Sequence, residues 1–263
     1  MKPKALVLQA YGSNRDFDVM EALTLAGADA LGIPLNALRF NRTLLADVQL
    51  LVIPGGFSYA DALGAGKLLA LDLASYFAEE ISAFVGSGKP VLGICNGFQA
   101  LVKSGILPGE SSGRKRVGGE GATLTFNTQG HFECRWVTLK PISQTCIWTN
   151  GLNELIECPI AHGEGNFQTS DLFPLSSFIE NHQIAMTYAC ADGSPANGEY
   201  PANPNGSILD IAGICNPGGN VLGLMPHPEN HIHSFQHPQW TRGIHRHSGL
   251  KLFENGVKYA KQM

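Results

Sequence analysis

The chain has 263 residues, 44% hydrophobic and 15% charged, with a formal net charge of −4 and 31 glycines. This composition excludes a disordered or charge-driven chain and a binder held to nucleic acid by a general basic field, and it leaves ample apolar material for a core. Glycine exceeds its usual share of roughly 7%, so it is either filler or a mark of places where backbone approaches something closely.

The first apolar run, residues 5–10, reads as a strand; it is too short for a secretory core and no cleavage site follows it. Residues 17–31 have helical spacing through Phe17, Met20, Leu23, Leu25 and Leu31. A second strand is expected over 48–53, stopped by Pro54-Gly55-Gly56, then one long helix over 67–85, a strand over 90–94 and a helix over 96–103. Apolar strands interleaved with helices predict a single α/β domain: a mostly parallel central sheet flanked by helices, with ligands outside the carboxyl ends of its strands. The pattern changes near Gly109. A Ser/Gly/basic loop is expected over 110–121, strands over 123–126, 132–139, 184–188 and 221–225, a loop over 192–206, and a partly helical end over 239–261. No run of about 18 apolar residues exists, so no membrane span is expected. The six cysteines form no C-x-x-C pair. With no secretion signal read, the chain is expected to be cytoplasmic with reduced thiols.

Gly93-Ile94-Cys95-Asn96-Gly97 lies between an expected strand and an expected helix. This is the cysteine form of a nucleophile elbow: small residues two positions either side let the chain double back. The following helix points the positive end of its dipole at the sulfur, which suits a thiolate. The Asn96 N–H is then available to an oxyanion. A buried inert cysteine is the alternative. Gly213-Ile214-Cys215-Asn216 repeats the tetrapeptide but runs into Pro217-Gly218-Gly219, so no helix starts there and Cys215 reads as structural.

A thiolate nucleophile needs a histidine for proton exchange and an acceptor to orient it. Met225-Pro226-His227-Pro228-Glu229 offers both: prolines on each side fix the loop, and Glu229 falls on the same side of an extended chain as His227. Gly55 or Gly56 could supply a second oxyanion donor, with an ordinary glycine turn as the alternative. Gly64-Ala65-Gly66-Lys67 lacks the full phosphate-loop spacing. The histidines at 231, 233, 237, 245 and 247 lack a Cys or carboxylate framework, so no metal site is expected. Residues 161–165, Ala-His-Gly-Glu-Gly, read only as a glycine loop near a ligand or a plain turn.

Taken together, Gly93-x-Cys95-x-Gly97-x-Gln99 and His227-Pro228-Glu229 resemble the class I, or triad, glutamine amidotransferases of flavodoxin-like fold. The segments 55–59, 124–127, 132–137, 159–165, 203–207 and 225–229 resemble, more narrowly, the glutaminase subunits of phosphoribosylformylglycinamidine synthase, and they span nearly the whole chain. The resemblance implies one amidotransferase domain over 1–263, with Cys95, His227 and Glu229 as the triad and Gly56 and Asn96 as the oxyanion hole. Gly55, Phe57 and Gln99 are implied as substrate contacts, Gln99 facing the amino-acid end of L-glutamine.

It further implies no cofactor in this subunit, with ATP and Mg on a partner synthetase that uses the ammonia to aminate formylglycinamide ribonucleotide in purine biosynthesis. A third small subunit is left open; no nucleic-acid or membrane partner is implied. Two positions depart from the family pattern: Ala60 stands where it usually has Gly, and Asn230 where it usually has Arg. Two other readings stand beside this one, an elbow-cysteine hydrolase with no synthetase and a catalytically silent docking module.

Overall fold

Strand β1 (Lys4–Gln9) grows from the first apolar run, and in the computed structural model, which describes residues 1–109, 121–170, 174–243 and 248–263, it lies within a nine-stranded sheet. Helix α1 (Asp16–Leu25), β2 (Asp29–Pro34), α2 (Leu35–Phe40), β3 (Leu50–Ile53), α3 (Lys67–Tyr76), α4 (Ala78–Gly86), β4 (Val91–Ile94) and α5 (Asn96–Lys103) complete the first half. The second half contributes β5 (Ala122–Thr125), β6 (Glu133–Pro141), β7 (Ile156–His162), β8 (Asn166–Thr169), α6 (Leu175–Glu180), β9 (Ile184–Ala189), β10 (Ile211–Cys215), β11 (Val221–Leu224) and α7 (Leu250–Ala260).

The sheet order is β2-β1-β3-β4-β11-β10-β9-β6-β7, and β5 pairs with β8 apart from it. The first five strands are parallel. From β11 onward every join is antiparallel. The parallel part has the flavodoxin-like doubly wound order, and the second half extends it, as the sequence leads one to expect. All four residues of β3, of β4 and of β11 are buried. Successive side chains point to opposite faces, so these strands are covered on both sides. Their parallel register, with Val52 beside Leu92 and Leu92 beside Leu222, brings the segments after Ile53, Ile94 and Leu224 to one edge.

Two expectations are corrected. The helix expected over 17–31 is α1 followed by β2, whose alternating burial is that of an outer strand. The helix expected over 67–85 is broken between α3 and α4 at Phe77, a fully buried residue at φ −126°. Strands β7, β8 and β10 and helices α2 and α6 carry no clear sequence signal. Residues 110–120 of the expected basic loop, with His245 and His247, lie outside the described residues. No helix among the described residues is long and apolar enough to cross a membrane.

Candidate active site

Cys95 sits between β4 and α5 with φ +49° and ψ −105°. A non-glycine residue held there is strained by about 1–3 kcal/mol, the conformation that the elbow spacing predicts. Its own N–H bonds Leu224 O (2.8 Å) and its carbonyl accepts from Gln99 N–H (3.0 Å), so both neighbouring elements hold the turn in place. Gly97 is obligatory for packing: a side chain there would run into the carbonyl of Ile53 at the end of β3.

His227 and Glu229 lie just past β11, both buried, with His227 Nδ1 donating to Glu229 Oε1 at 2.7 Å. That bond leaves Nε2 as the ring nitrogen available to the Cys95 sulfur. Burial alone pushes the His227 pKa down, but the Glu229 charge and the Cys95 sulfur outweigh it and raise it to about 10. The imidazole is therefore set to hold a proton between the Glu229 carboxylate and the Cys95 sulfur.

Gly55 fills the space beside this pair. A Cβ on it would lie 2.7 Å from His227 Cε1 and 3.5 Å from Cys95 Cβ. Gly56 has φ +141° and forms an isolated bridge with Ser13; the bond made there is Phe57 N–H to Gly12 O (2.9 Å), not one from the Gly56 N–H. Asn96 is the first residue of α5, where an N–H has no acceptor within the helix. Its side chain braces the glycine loop, accepting from Ser58 N–H (3.1 Å) and donating to Asp61 Oδ1 (2.9 Å). The loop beyond is unusual: Tyr59, Ala60, Asp61 and Leu63 all have positive φ, between +52° and +65°.

Phe57, next to Gly56, is 44% exposed and stacks on Phe132 with ring centroids 6.2 Å apart. Gln99 is 2% exposed. Its amide donates to Glu164 O (2.7 Å) and accepts from Asn96 Nδ2 (3.1 Å), so it ties α5 to the 162–165 turn. Glu164 in turn accepts from Ala65 N–H (3.2 Å) and pairs with Lys103 (3.4 Å).

Residues 159–165, which the sequence marks only as a family-like segment and a glycine loop near a ligand or a plain turn, lie on and after β7 and reach the site. The Cys95 thiol is 3.7 Å from Ala161 O, and the His227 N–H donates to Pro159 O (2.8 Å). The next residue, His162, is buried with Nδ1 3.1 Å from Asn127 Oδ1, which also accepts from Gly165 N–H (3.0 Å). Burial, helped by the charge of His227, pushes the His162 pKa down to about 3. Asn127 and Asn205 form the support: Asn127 Nδ2 donates to His162 O (2.9 Å) and Asn205 Nδ2 to Gly165 O (2.9 Å). The sequence signals for this shell are the family-like segments 124–127, 159–165 and 203–207 and the glycine loop at 161–165, none of which assigns a role to His162, Asn127 or Asn205.

Other candidates stay apart. Cys215 ends β10 and is buried, and all six cysteines are free. His233 pairs with Glu21 (2.9 Å) and His237 with Glu157 (3.3 Å). Among the described residues no group of three or more His, Cys, Asp or Glu could hold a metal ion.

A cysteine on an elbow, a buried His–Glu pair and a glycine loop at one edge of a doubly wound sheet make up the arrangement expected of an amidotransferase of the triad class. The sequence matches the CobB/CobQ-like glutamine amidotransferase domain over residues 2–260, and the chain belongs to that family. It is 58% identical to the phosphoribosylformylglycinamidine synthase subunit PurQ of Treponema denticola, over 88% of this chain and 89% of that one. It is 42% identical to the subunit of the same name from Dehalococcoides mccartyi, over 100% and 99% of the two chains. Among solved structures it resembles a chain of PurLQS from Thermotoga maritima, with TM-score 0.73, 32% identity, and 98% and 99% of the chains covered.

Proposed function

We propose that this chain is the glutaminase subunit of a phosphoribosylformylglycinamidine synthase and that all of 1–263 forms one amidotransferase domain. The observation that carries the reading is the His227–Glu229 pair (2.7 Å) set against the strained Cys95 elbow, in a chain 58% identical to a subunit of that name.

The reaction runs in two halves. The Cys95 sulfur attacks the side-chain amide carbon of L-glutamine, and the carbonyl electron pair moves onto oxygen. The N–H groups of Gly56 and Asn96 hold that oxyanion. As it collapses, the C–N bond breaks and His227 gives its proton to the departing nitrogen, which leaves as ammonia. Neutral His227 then takes a proton from water, whose oxygen attacks the thioester; a second oxyanion collapses, the C–S bond breaks and glutamate leaves. Glu229 keeps the imidazole in the Nδ1–H tautomer and stabilises its charged form. Gly55 and Phe57 border the substrate, and Gln99 acts at its amino-acid end by holding the 162–165 turn.

Ammonia then passes to a synthetase subunit, which carries ATP and Mg and aminates formylglycinamide ribonucleotide in the cytoplasm; a third small subunit joins the assembly. The test is a Cys95→Ala chain assembled with its synthetase. Loss of glutamine-dependent product with ammonia-dependent product retained supports the reading; retained glutamine-dependent synthesis sinks it. Labelling by a reactive glutamine analogue separates the rivals. Modification at Cys95 excludes the silent docking module, and synthesis driven by the partner excludes the partner-free hydrolase.

A further inference from the structure

β7 is the last strand of the sheet, so its outward backbone groups have no neighbouring strand. In an antiparallel pair such groups recur at every second residue, here 157, 159 and 161. All three carbonyls are met by the elbow cysteine or by the segment that carries His227. The His231 ring donates from Nδ1 to Glu157 O at 2.5 Å, His227 N–H donates to Pro159 O at 2.8 Å, and the Cys95 thiol lies 3.7 Å from Ala161 O. The turn Pro228–Asn230, which carries Glu229, is thus pinned to one strand at both ends.

His231 is built for that task. It is 1% exposed, its N–H donates to Pro228 O (3.1 Å), and its carbonyl accepts from Gly249 N–H (2.8 Å) and Ser248 Oγ (2.9 Å). Its ring meets Trp136 edge-on with centroids 5.1 Å apart, and the ring of His237 lies 5.4 Å away. A carbonyl only accepts, so the bond to Glu157 fixes His231 as the Nδ1–H tautomer.

We propose that His231 is a positioning residue for glutamine hydrolysis: by docking on the Glu157 carbonyl it fixes the far end of the 227–231 segment on the strand whose Ala161 carbonyl meets the nucleophile, and so sets the approach of His227 to Cys95. The bonds from Gly249 and Ser248 to the His231 carbonyl tie this end of the segment to the start of α7, and the ring bond to Glu157 adds the tie to β7 itself, about 6.5 Å along the strand from Pro159. The inference rests on the amidotransferase reading above.

The test compares His231→Leu, which keeps bulk without a donor, with His231→Asn, whose amide nitrogen offers a donor near the Nδ1 position. Both are assembled with the synthetase partner. His231→Leu should lower kcat for glutamine hydrolysis about 100-fold, the cost of a misplacement near 1 Å. KM for glutamine and ammonia-dependent synthesis should stay near the wild-type values, which a general loosening of the fold would not leave untouched. His231→Asn should recover most of the loss. An unchanged kcat in an assembled His231→Leu complex overturns the proposal, as does an Asn variant no faster than Leu. Nitrogen-15 correlation spectra of the wild-type chain give a check that needs no variant: an Nε2–H tautomer at His231 also overturns it. If the wild-type complex itself fails to hydrolyse glutamine, the amidotransferase reading fails instead, and the two failures are told apart.

Discussion

Gly55 and His227 meet across the space that a side chain would take, with a Cβ on residue 55 lying 2.7 Å from Cε1 and 3.4 Å from Nδ1 of the imidazole. The glycine loop and the His227 ring are therefore one packed unit. The first glycine of the pair makes room for the histidine, while the second, at φ +141°, turns the chain.

Gly55→Ala is expected to push His227 out of line with Cys95 while leaving the fold standing. Glutamine-dependent synthesis should fall about 100-fold, and ammonia-dependent synthesis by the assembled complex should not change. Steady-state assays with the two nitrogen sources check this; equal losses with both would mean that the substitution damages docking instead.

Glu229→Gln removes the charge that holds the His227 proton and allows an amide N–H to face Nδ1. In the neutral ring the proton then sits on Nε2, so an N–H faces the nucleophile and no lone pair is left there to take up a proton. A loss of roughly 10³–10⁴ in kcat is expected, the scale seen when a triad acid becomes an amide. The rate of Cys95 alkylation against pH gives a second readout, since the lost carboxylate should bring the His227 titration down from about 10.

Ala60→Gly is expected to stabilise the protein. Ala60 is exposed at φ +54°, so glycine loses no packing there. The left-handed region costs a non-glycine residue about 1–2 kcal/mol, and the freer unfolded chain offsets part of that gain. A rise in Tm of about 2 °C should be seen by calorimetry; a fall would show that the strain at 59–61 is carried by its neighbours.

The two buried histidines give opposite pH signatures. His227 is raised from 6.5 to about 10, so the stability it adds is fully present below pH 6.5 and is lost as pH climbs to 10. His162 is lowered to about 3, so the unfolded chain takes up its proton first and stability falls as pH drops from 6.5 toward 3. Each window has a slope of at most about 1.4 kcal/mol per pH unit. Urea unfolding of the His227→Gln and His162→Gln chains should remove the alkaline and the acid slope respectively, and a slope that survives its substitution belongs to another group.

The parts of the site that lie close in sequence were readable as sequence. The elbow needs small residues at 93 and 97, the base needs its acid two residues on, and both follow apolar runs that can only be buried strands. What escaped depends on distant partners. β2 is the outer strand at the other end of the sheet, so its residues bury too little to show a continuous apolar run. The break at Phe77 carries neither Gly nor Pro; tertiary packing of the buried ring makes it. β7 acts on the site through main-chain carbonyls, which no side-chain pattern records. The departure at Asn230 becomes intelligible only in three dimensions, where its amide donates to Asp18 Oδ2 of α1 at 2.9 Å.

Pro159 stands opposite Trp136 in the β6–β7 ladder, with its carbonyl turned away from β6 toward His227. In an antiparallel strand the N–H would point the same way, so a proline there removes no ladder bond. With residue 159 lacking a donor and carbonyls 157, 159 and 161 covered, the outermost strand has little left to offer an approaching strand from another molecule. The segment that carries His227 thus also covers the open edge of the sheet, so loosening it should cost solubility as well as turnover.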